Sequence, residues 1–406
     1  MKRKSGNDVT RPSWLVAFAP RTSGSWGPGA FAPRTSGSWG PGAFAPRTSG
    51  GRASVGIAIF SVFAVVVGLL GIGAGTAEAR TLDGVRYAQA SPGAPYRQTW
   101  TSPRNFVASV WSPSMQTQVP LLVQTPANGN QAAPVMYMLN GSSGGEEDDD
   151  WTHATDANAF YANKNVWTVT PIGGAASYYA DWRRVDPAAN FRYQVKTSRP
   201  LRWETFLTSE LPATFEGRHG GYSFGRSRGI AGISMSGNSV IRLAENHPGL
   251  YRAVGAYSGC AETATPTGQL LLRNVAFVPY GADATNMYGL PGDSEWAAQD
   301  PVVNAYKLAR RTPALWISAA TGLPGGHDNP ADRSVRGDVG KLAAQVTAGG
   351  FSEAAARSCT VTLAQRLAAL RIPAVVRFPA VGTHSWGYWQ DQMHQSWPMF
   401  ARALGA

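Results

Sequence analysis

From about Thr99 onward, short apolar runs of five to seven residues recur between stretches of helical character, and this alternation restricts the fold more than any other feature. Asn105–Trp111 and Gln118–Val123 alternate apolar with polar residues near prolines and read as opening antiparallel strands. Pro134–Leu139, Val166–Thr170, Gly229–Ile233, Ala253–Tyr257, Ala314–Ser318 and Ala374–Phe378 are more continuously apolar, as strands buried on both faces are. Leu201–Leu211, Asn238–Asn246 and Ala354–Leu370 read as helices, the second ended by His247-Pro248. Strands alternating with helices predict an α/β fold, a mostly parallel sheet with helices on both faces. No Pro/Gly/Ser-rich linker interrupts residues 100–400, so one domain is expected there rather than two.

Ahead of that domain the chain changes character. Phe18–Ala30 reads FAPRTSGSWGPGA, Phe31–Ala43 repeats it, and Phe44–Gly50 begins it again. A 13-residue period rich in Pro, Gly and Ser is too short for a stacked repeat, so residues 1–52 read as a low-complexity tail. Eight Lys/Arg against one acid, Asp8, give that tail +7 of the chain's +11. With Glu78 the sole charge in 53–79, the remainder is +11 − 7 + 1 = +5. The basic excess therefore makes no case for nucleic acid as a partner. With 43% hydrophobic and 15% charged residues the chain as a whole is not disordered. Val55–Ala74 is an uncharged apolar run followed by Ala77-Glu78-Ala79, a small-x-small cleavage pattern. Residues 53–79 read as a signal peptide or an uncleaved membrane anchor, and residues 80–406 as the exported domain. In an oxidising compartment Cys260 and Cys359 can form a disulfide.

The pattern G-x-S-x-G, which marks a serine nucleophile on a strand-to-helix turn, occurs at 225–229 and 141–145 in the wrong surroundings. The first lacks an apolar strand before it, and the second leads into the acidic run Glu146–Asp150. That run lacks the ligand spacing of a calcium loop and reads as a solvated loop. Gly232-Ile233-Ser234-Met235-Ser236 departs from the pattern at its last position, yet a strand precedes it and Gly237 and a helix follow. Ser234 is therefore the candidate nucleophile. Among the six histidines, His384, in a loop after a late strand, is the first candidate base, with His327 second. His247 reads as a structural helix end. Spacing leaves the acid open among Asp300, Asp328, Asp332, Asp338 and Glu353. An oxyanion hole needs two backbone N–H groups. Met235 offers one and Ser142, in the glycine-rich loop after Pro134–Leu139, the other.

These residues resemble a known family. Trp203–Pro212 (WETFLTSELP), Gly232–Met235 (GISM), Gly382–Trp386 (GTHSW) with Tyr388-Trp389, and Tyr179-Ala180-Asp181-Trp182 are similar to the antigen 85 mycolyltransferases and their corynomycolyltransferase relatives. The resemblance covers about residues 135–390. It implies an α/β-hydrolase fold in a single domain and an acyltransferase acting at the cell envelope surface as a monomer, without cofactor or metal. Such enzymes move a mycolyl chain from trehalose monomycolate to a second trehalose monomycolate or to cell-wall arabinogalactan. Carried over by position, Ser234, Glu353 and His384 form the triad. Trp386 would line the sugar site, and the aromatics Trp182, Trp203, Tyr388 and Trp389 suit sugar stacking. The mycobacterial members carry Asp-Gly-Leu-Arg where this chain has Asn140-Gly141-Ser142-Ser143. Asn140 and Ser143 are thus the expected sugar contacts, and the arginine of those members has no counterpart. Their disulfide before WETF is missing, and Ala319 replaces their cysteine before the acid. The glycine-rich oxyanion loop and the Cys260/Cys359 pair look more like the corynebacterial branch, in which a bridge would steady Glu353. A secreted carboxylesterase with the same triad and a non-enzymatic adhesin on the same fold are the competing expectations.

Overall fold

The computed structural model describes residues 82, 87–188, 199–219 and 227–406, so the expectations for the tail and for residues 53–79 lie outside the described residues. An antiparallel meander opens the domain: β1 (Tyr96–Trp100), β2 (Asn105–Ser112) and β3 (Thr117–Gln124). Six strands follow: β4 (Val135–Leu139), β5 (Trp167–Pro171), β6 (Arg228–Ile233), β7 (Ala253–Tyr257), β8 (Ala314–Ser318) and β9 (Val375–Arg377). All nine make one sheet in the order β1-β2-β3-β5-β4-β6-β7-β8-β9. β5, β4, β6, β7, β8 and β9 run parallel, while β3 joins β5 antiparallel. The strand order reverses at β4, and the crevice beyond the carboxyl ends of β4 and β6 is where such sheets bind ligands.

Strands β4, β6, β7 and β8 are buried on both faces, which is why their sequences are largely apolar rather than alternating, whereas the edge strand β9 is partly exposed. Val135, Tyr137 and Leu139 of β4 face one core, whereas Met136 and Met138 face the other. Val254 and Ala256 of β7 divide from Ala253 and Tyr257 in the same way. At the start of β6, Arg228 forms a buried pair with Glu216 at 2.7 Å, and Tyr137 donates to the same carboxylate at 2.8 Å.

The helices depart from expectation in identifiable ways. The expected helix Leu201–Leu211 runs over 203–216, with widened turns at Phe206–Glu210 and Pro212–Glu216. Pro212 does not stop it because a proline opening a new turn has no N–H that the helix requires. The helix after Ser234 is Met235–Asn246, three residues longer at its start than Asn238–Asn246, and is called α1 here. Pro266–Tyr280, α2, has no counterpart among the expected helices: its prolines suggest a loop, yet Pro266 opens the helix and the Thr265 hydroxyl caps it by accepting the Gly268 N–H. Gly350–Ala369, α3, carries Glu353, and Trp386–Leu404, α4, closes the domain. Among the described residues no helix is long and apolar enough to cross a membrane.

Candidate active site

Ser234 stands between the last residue of β6 and the first of α1 with φ 52° and ψ −119°. A non-glycine residue held there is strained by about 1–3 kcal/mol. Its surroundings enforce the turn: the Ser234 N–H donates to Tyr257 O at 2.9 Å, and the Gly237 N–H to Ser234 O at 3.0 Å. Close approach requires two glycines, since a Cβ at Gly232 would lie 2.5 Å from Ser236 O and one at Gly237 2.8 Å from Gly259 Cα. The result projects the hydroxyl beside the first turn of α1, where backbone N–H groups have no partner within the helix. Among the described residues no hydrogen bond to the Ser234 hydroxyl is present.

A carboxylate–imidazole pair sits at the ends of the neighbouring strands. His384 Nδ1 is 2.8 Å from Glu353 Oε2, with Glu353 2% exposed. The other Glu353 oxygen accepts the Ser258 hydroxyl at 2.8 Å and the Ala320 N–H at 2.6 Å. Ser258, at φ 55° directly after β7, also accepts the Trp389 indole N–H at 3.0 Å, and Trp389 meets the His384 ring edge-on at 5.0 Å. Because Ser234 is bonded to Tyr257, the neighbour of Ser258, a short chain of contacts joins the serine turn to this pair. Cys260 and Cys359 are joined in a disulfide, which ties the segment after β7 to α3, six residues beyond Glu353. The other acids left open by spacing are engaged elsewhere. Asp300 and Asp338 cap helix starts, Asp332 holds His327, and Asp328 binds Thr383, Tyr388 and Gln345.

His327, the second candidate base, lies between Asp332 at 2.7 Å and Asp391 at 3.0 Å. The hydrogen bond to Asp391, outweighing burial and aided by Asp332, lifts its imidazole to about 9. A ring held protonated by two carboxylates is poorly suited to accept a proton. His247 ends α1 with Nε2 2.9 Å from Glu204, in keeping with a structural role.

The loop after β4 adjoins the serine turn: a Cβ added at Gly141 would lie 3.8 Å from Ser234 Cβ. Ser142 and Ser143 are half-buried there, and the Ser142 carbonyl accepts the Ala176 N–H at 2.9 Å. Gly144 and Gly145 both have positive φ, and a Cβ at Gly145 would lie 2.2 Å from Asn140 Nδ2. Three expectations are corrected at this loop. Asn140 is fully buried and its amide donates to Pro171 O at 2.9 Å, so it braces the loop rather than standing open to a sugar. The acidic run is not wholly solvated: Glu146 and Asp150 are buried, and Asp150 caps the turn Trp151–Ala154 and binds His153. Trp386 is 8% exposed, packs edge-on against Trp151 and Trp389, and donates its indole N–H to Asp149 at 2.6 Å. It is a strut between the β4 loop and α4 rather than an open platform. Trp182 and Trp203 are fully buried and Trp389 nearly so, which removes them as stacking surfaces. Tyr388 spends its hydroxyl on Asp328 at 2.6 Å.

Sequence reasoning missed Ser258 and Asp149. A serine after a strand and an aspartate within an acidic run carry no local signal of their partners, which lie 95 and 237 residues away.

Residues 112–400 match the Esterase family model. The chain is 30% identical to the diacylglycerol acyltransferase/mycolyltransferase Ag85A of Mycobacterium tuberculosis over 349 residues, 84% of this chain and 89% of that protein. It is likewise 30% identical to the corresponding Ag85B of Mycobacterium intracellulare, covering 84% of this chain and 92% of the relative. Among solved structures, MPT51 of Mycobacterium tuberculosis superposes with a TM-score of 0.57 at 23% identity, over 77% of this chain and 99% of that one. The serine hydrolase FphF of Staphylococcus aureus superposes with a TM-score of 0.51 at 14% identity, over 75% and 98%. The last two bear on the fold alone, and both agree with the sheet described above.

Proposed function

The chain belongs to the antigen 85 group of the Esterase family, a group of acyltransferases on the α/β-hydrolase fold, and from that premise we propose that it transfers mycolyl chains through an acyl-enzyme on Ser234. The donor is trehalose monomycolate, and the acceptor is a second trehalose monomycolate or cell-wall arabinogalactan. The observation that carries the proposal is the Ser234 backbone, strained at φ 52° where a strand meets a helix.

His384 takes the Ser234 proton on Nε2 as the hydroxyl oxygen attacks the ester carbonyl, while Glu353, 2.8 Å from Nδ1, fixes the tautomer that leaves Nε2 the acceptor and stabilises the charge the ring gains. The N–H groups of Met235 and Ser142 receive the negative charge that develops on the carbonyl oxygen. The Gly141 approach to Ser234 supports this role for the β4 loop. His384 then gives the proton to the departing trehalose oxygen. A sugar hydroxyl enters, loses its proton to His384, attacks the acyl-serine and regenerates the free hydroxyl. Ser143, half-buried beside Ser142, is the proposed contact to a sugar hydroxyl. Transfer prevails over hydrolysis when the bound acceptor displaces water from the acyl-enzyme. The apolar run Val55–Ala74 and Ala77-Glu78-Ala79 support export of the domain from Arg80 onward, with residues 1–52 a tail preceding the signal.

The deciding experiment supplies purified protein with trehalose monomycolate and follows dimycolate against free mycolate. Dimycolate formation that disappears in Ser234→Ala is expected. Free acid alone would leave a carboxylesterase, and turnover unchanged in Ser234→Ala would remove the serine mechanism.

A further inference from the structure

Asp328 meets no histidine ring, yet its carboxylate gathers the segments that flank His384 and Glu353. Oδ1 accepts the Thr383 hydroxyl at 2.6 Å and the Gln345 amide at 2.8 Å. Oδ2 accepts the Tyr388 hydroxyl at 2.6 Å and the Gly325 N–H at 2.8 Å. Thr383 is the residue before His384 and is 1% exposed; Tyr388 lies in the first turn of α4. Gln345 begins the helical turns Gln345–Gly349 that lead into α3 and Glu353. The same segments touch again where the His384 N–H donates to Gly349 O at 3.2 Å.

All four partners of Asp328 are hydrogen-bond donors in these contacts, and only an ionised carboxylate accepts at every position. Burial pushes the Asp328 carboxyl up, but the bonds from Thr383, Tyr388, Gln345 and Gly325 outweigh it and hold it below its ordinary range. An asparagine would set its NH2 against either the Gly325 N–H, which cannot accept, or the Gln345 NH2, which could answer it only by turning over and giving up its bond to His327 O.

We propose that Asp328 is a positioning residue for the reaction: by holding Thr383 and Gln345 on one oxygen, it sets where His384 stands relative to Glu353 and Ser234. The inference rests on reading Ser234, Glu353 and His384 as one triad. Glu353 fixes the ring at Nδ1, whereas Asp328 fixes the backbone on which the ring is mounted. Displacing a proton-transfer group by about 1 Å costs up to roughly 100-fold in rate.

The test compares the full chain with Asp328→Asn, Thr383→Val and His384→Ala. It measures labelling of Ser234 by a fluorophosphonate, kcat and KM on a short p-nitrophenyl ester, and the downfield proton resonance of His384 Nδ1. Expected for Asp328→Asn is labelling and kcat lower by roughly 10- to 100-fold with KM within about twofold, and a shifted or absent Nδ1 resonance. Thr383→Val, which removes the Thr383 bond to Asp328 at 2.6 Å and a longer one to Ser385 at 3.4 Å while leaving the other three Asp328 partners, is expected to show the same changes to a smaller degree, and it decides the matter if Asp328→Asn does not fold. Wild-type labelling, kcat and Nδ1 resonance in a folded Asp328→Asn, or in Thr383→Val where the first variant fails to fold, overturn the inference and leave the triad standing. Equal labelling of His384→Ala and wild type overturns the triad reading, and this inference with it.

Discussion

Ser258 Oγ lies 2.8 Å from Glu353 Oε1 while accepting the Trp389 indole N–H at 3.0 Å, so one hydroxyl joins the carboxylate beneath His384 to the helix that follows it. Its backbone has φ 55°, as that of Ser234 has φ 52°, and the two serines end neighbouring parallel strands. Two residues with left-handed backbone, side by side at strand ends, thus frame the candidate site.

Removing the Ser258 hydroxyl should lower activity without unfolding the protein. Glu353 Oε1 retains the Ala320 N–H, so the carboxylate is not orphaned. A hydrogen bond to a charged group is worth about 1.5–3 kcal/mol. Ser258→Ala is therefore expected to lose roughly 10-fold or more in kcat, read from ester turnover beside a thermal melt. A wild-type kcat would show that Ser258 does not orient the acid.

The disulfide closes a loop between residues 99 apart. A cross-link of that span contributes about 4.7 kcal/mol in the chain-entropy description. The double variant Cys260→Ala, Cys359→Ala should unfold at markedly lower urea, and reductant should move the wild-type midpoint toward it. Coincident urea curves for wild type and variant would contradict this.

Arg228 and Glu216 are 3% and 0% exposed and answer each other in two hydrogen bonds. Truncating one partner strands the other charge in the core, at a cost of about 3–5 kcal/mol. Glu216→Ala should reach that range in denaturant unfolding. Tyr137→Phe removes only a donor to the same carboxylate, leaves the Arg228 pair in place, and should cost less, about 1.5–3 kcal/mol. Comparable losses in the two variants would argue against a charge-based cost.

His327 makes stability pH-dependent on the alkaline side. Its folded value, about 9 against an ordinary 6.5, is raised, so its contribution is complete below about pH 6.5 and fades as pH climbs through 9. Tm measured from pH 7 to 10 should therefore fall more steeply in wild type than in His327→Gln. Parallel profiles would remove His327 as the source.

Much of the scaffold is legible in the sequence because its determinants are local. A strand buried on both faces declares itself as an apolar run, and β4, β6, β7 and β8 lie within a residue of their expected bounds. The Ser234 turn is readable for a similar reason, since Gly232 and Gly237 are demanded by backbone crowding that neighbouring residues create. Strand β1 is not legible: Tyr96–Trp100 is mostly polar and exposed, and it forms by pairing with β2. The choice of acid depends on contacts between segments far apart in the chain, which spacing does not encode. Asn140 and Trp386 mislead on the same ground. Both are residue types that bind sugars when exposed, and burial and partners, here Pro171 and Asp149, decide their use.

The strained turn at Ser234 sets thermal resistance and turnover in opposition. The position favours a residue without a Cβ, and the fold tolerates serine there against its conformational preference. Ser234→Gly should therefore abolish acyl transfer and yet melt at a higher temperature than wild type, by the equivalent of about 1 kcal/mol. Selection for heat stability alone would erode this site first at the proposed nucleophile.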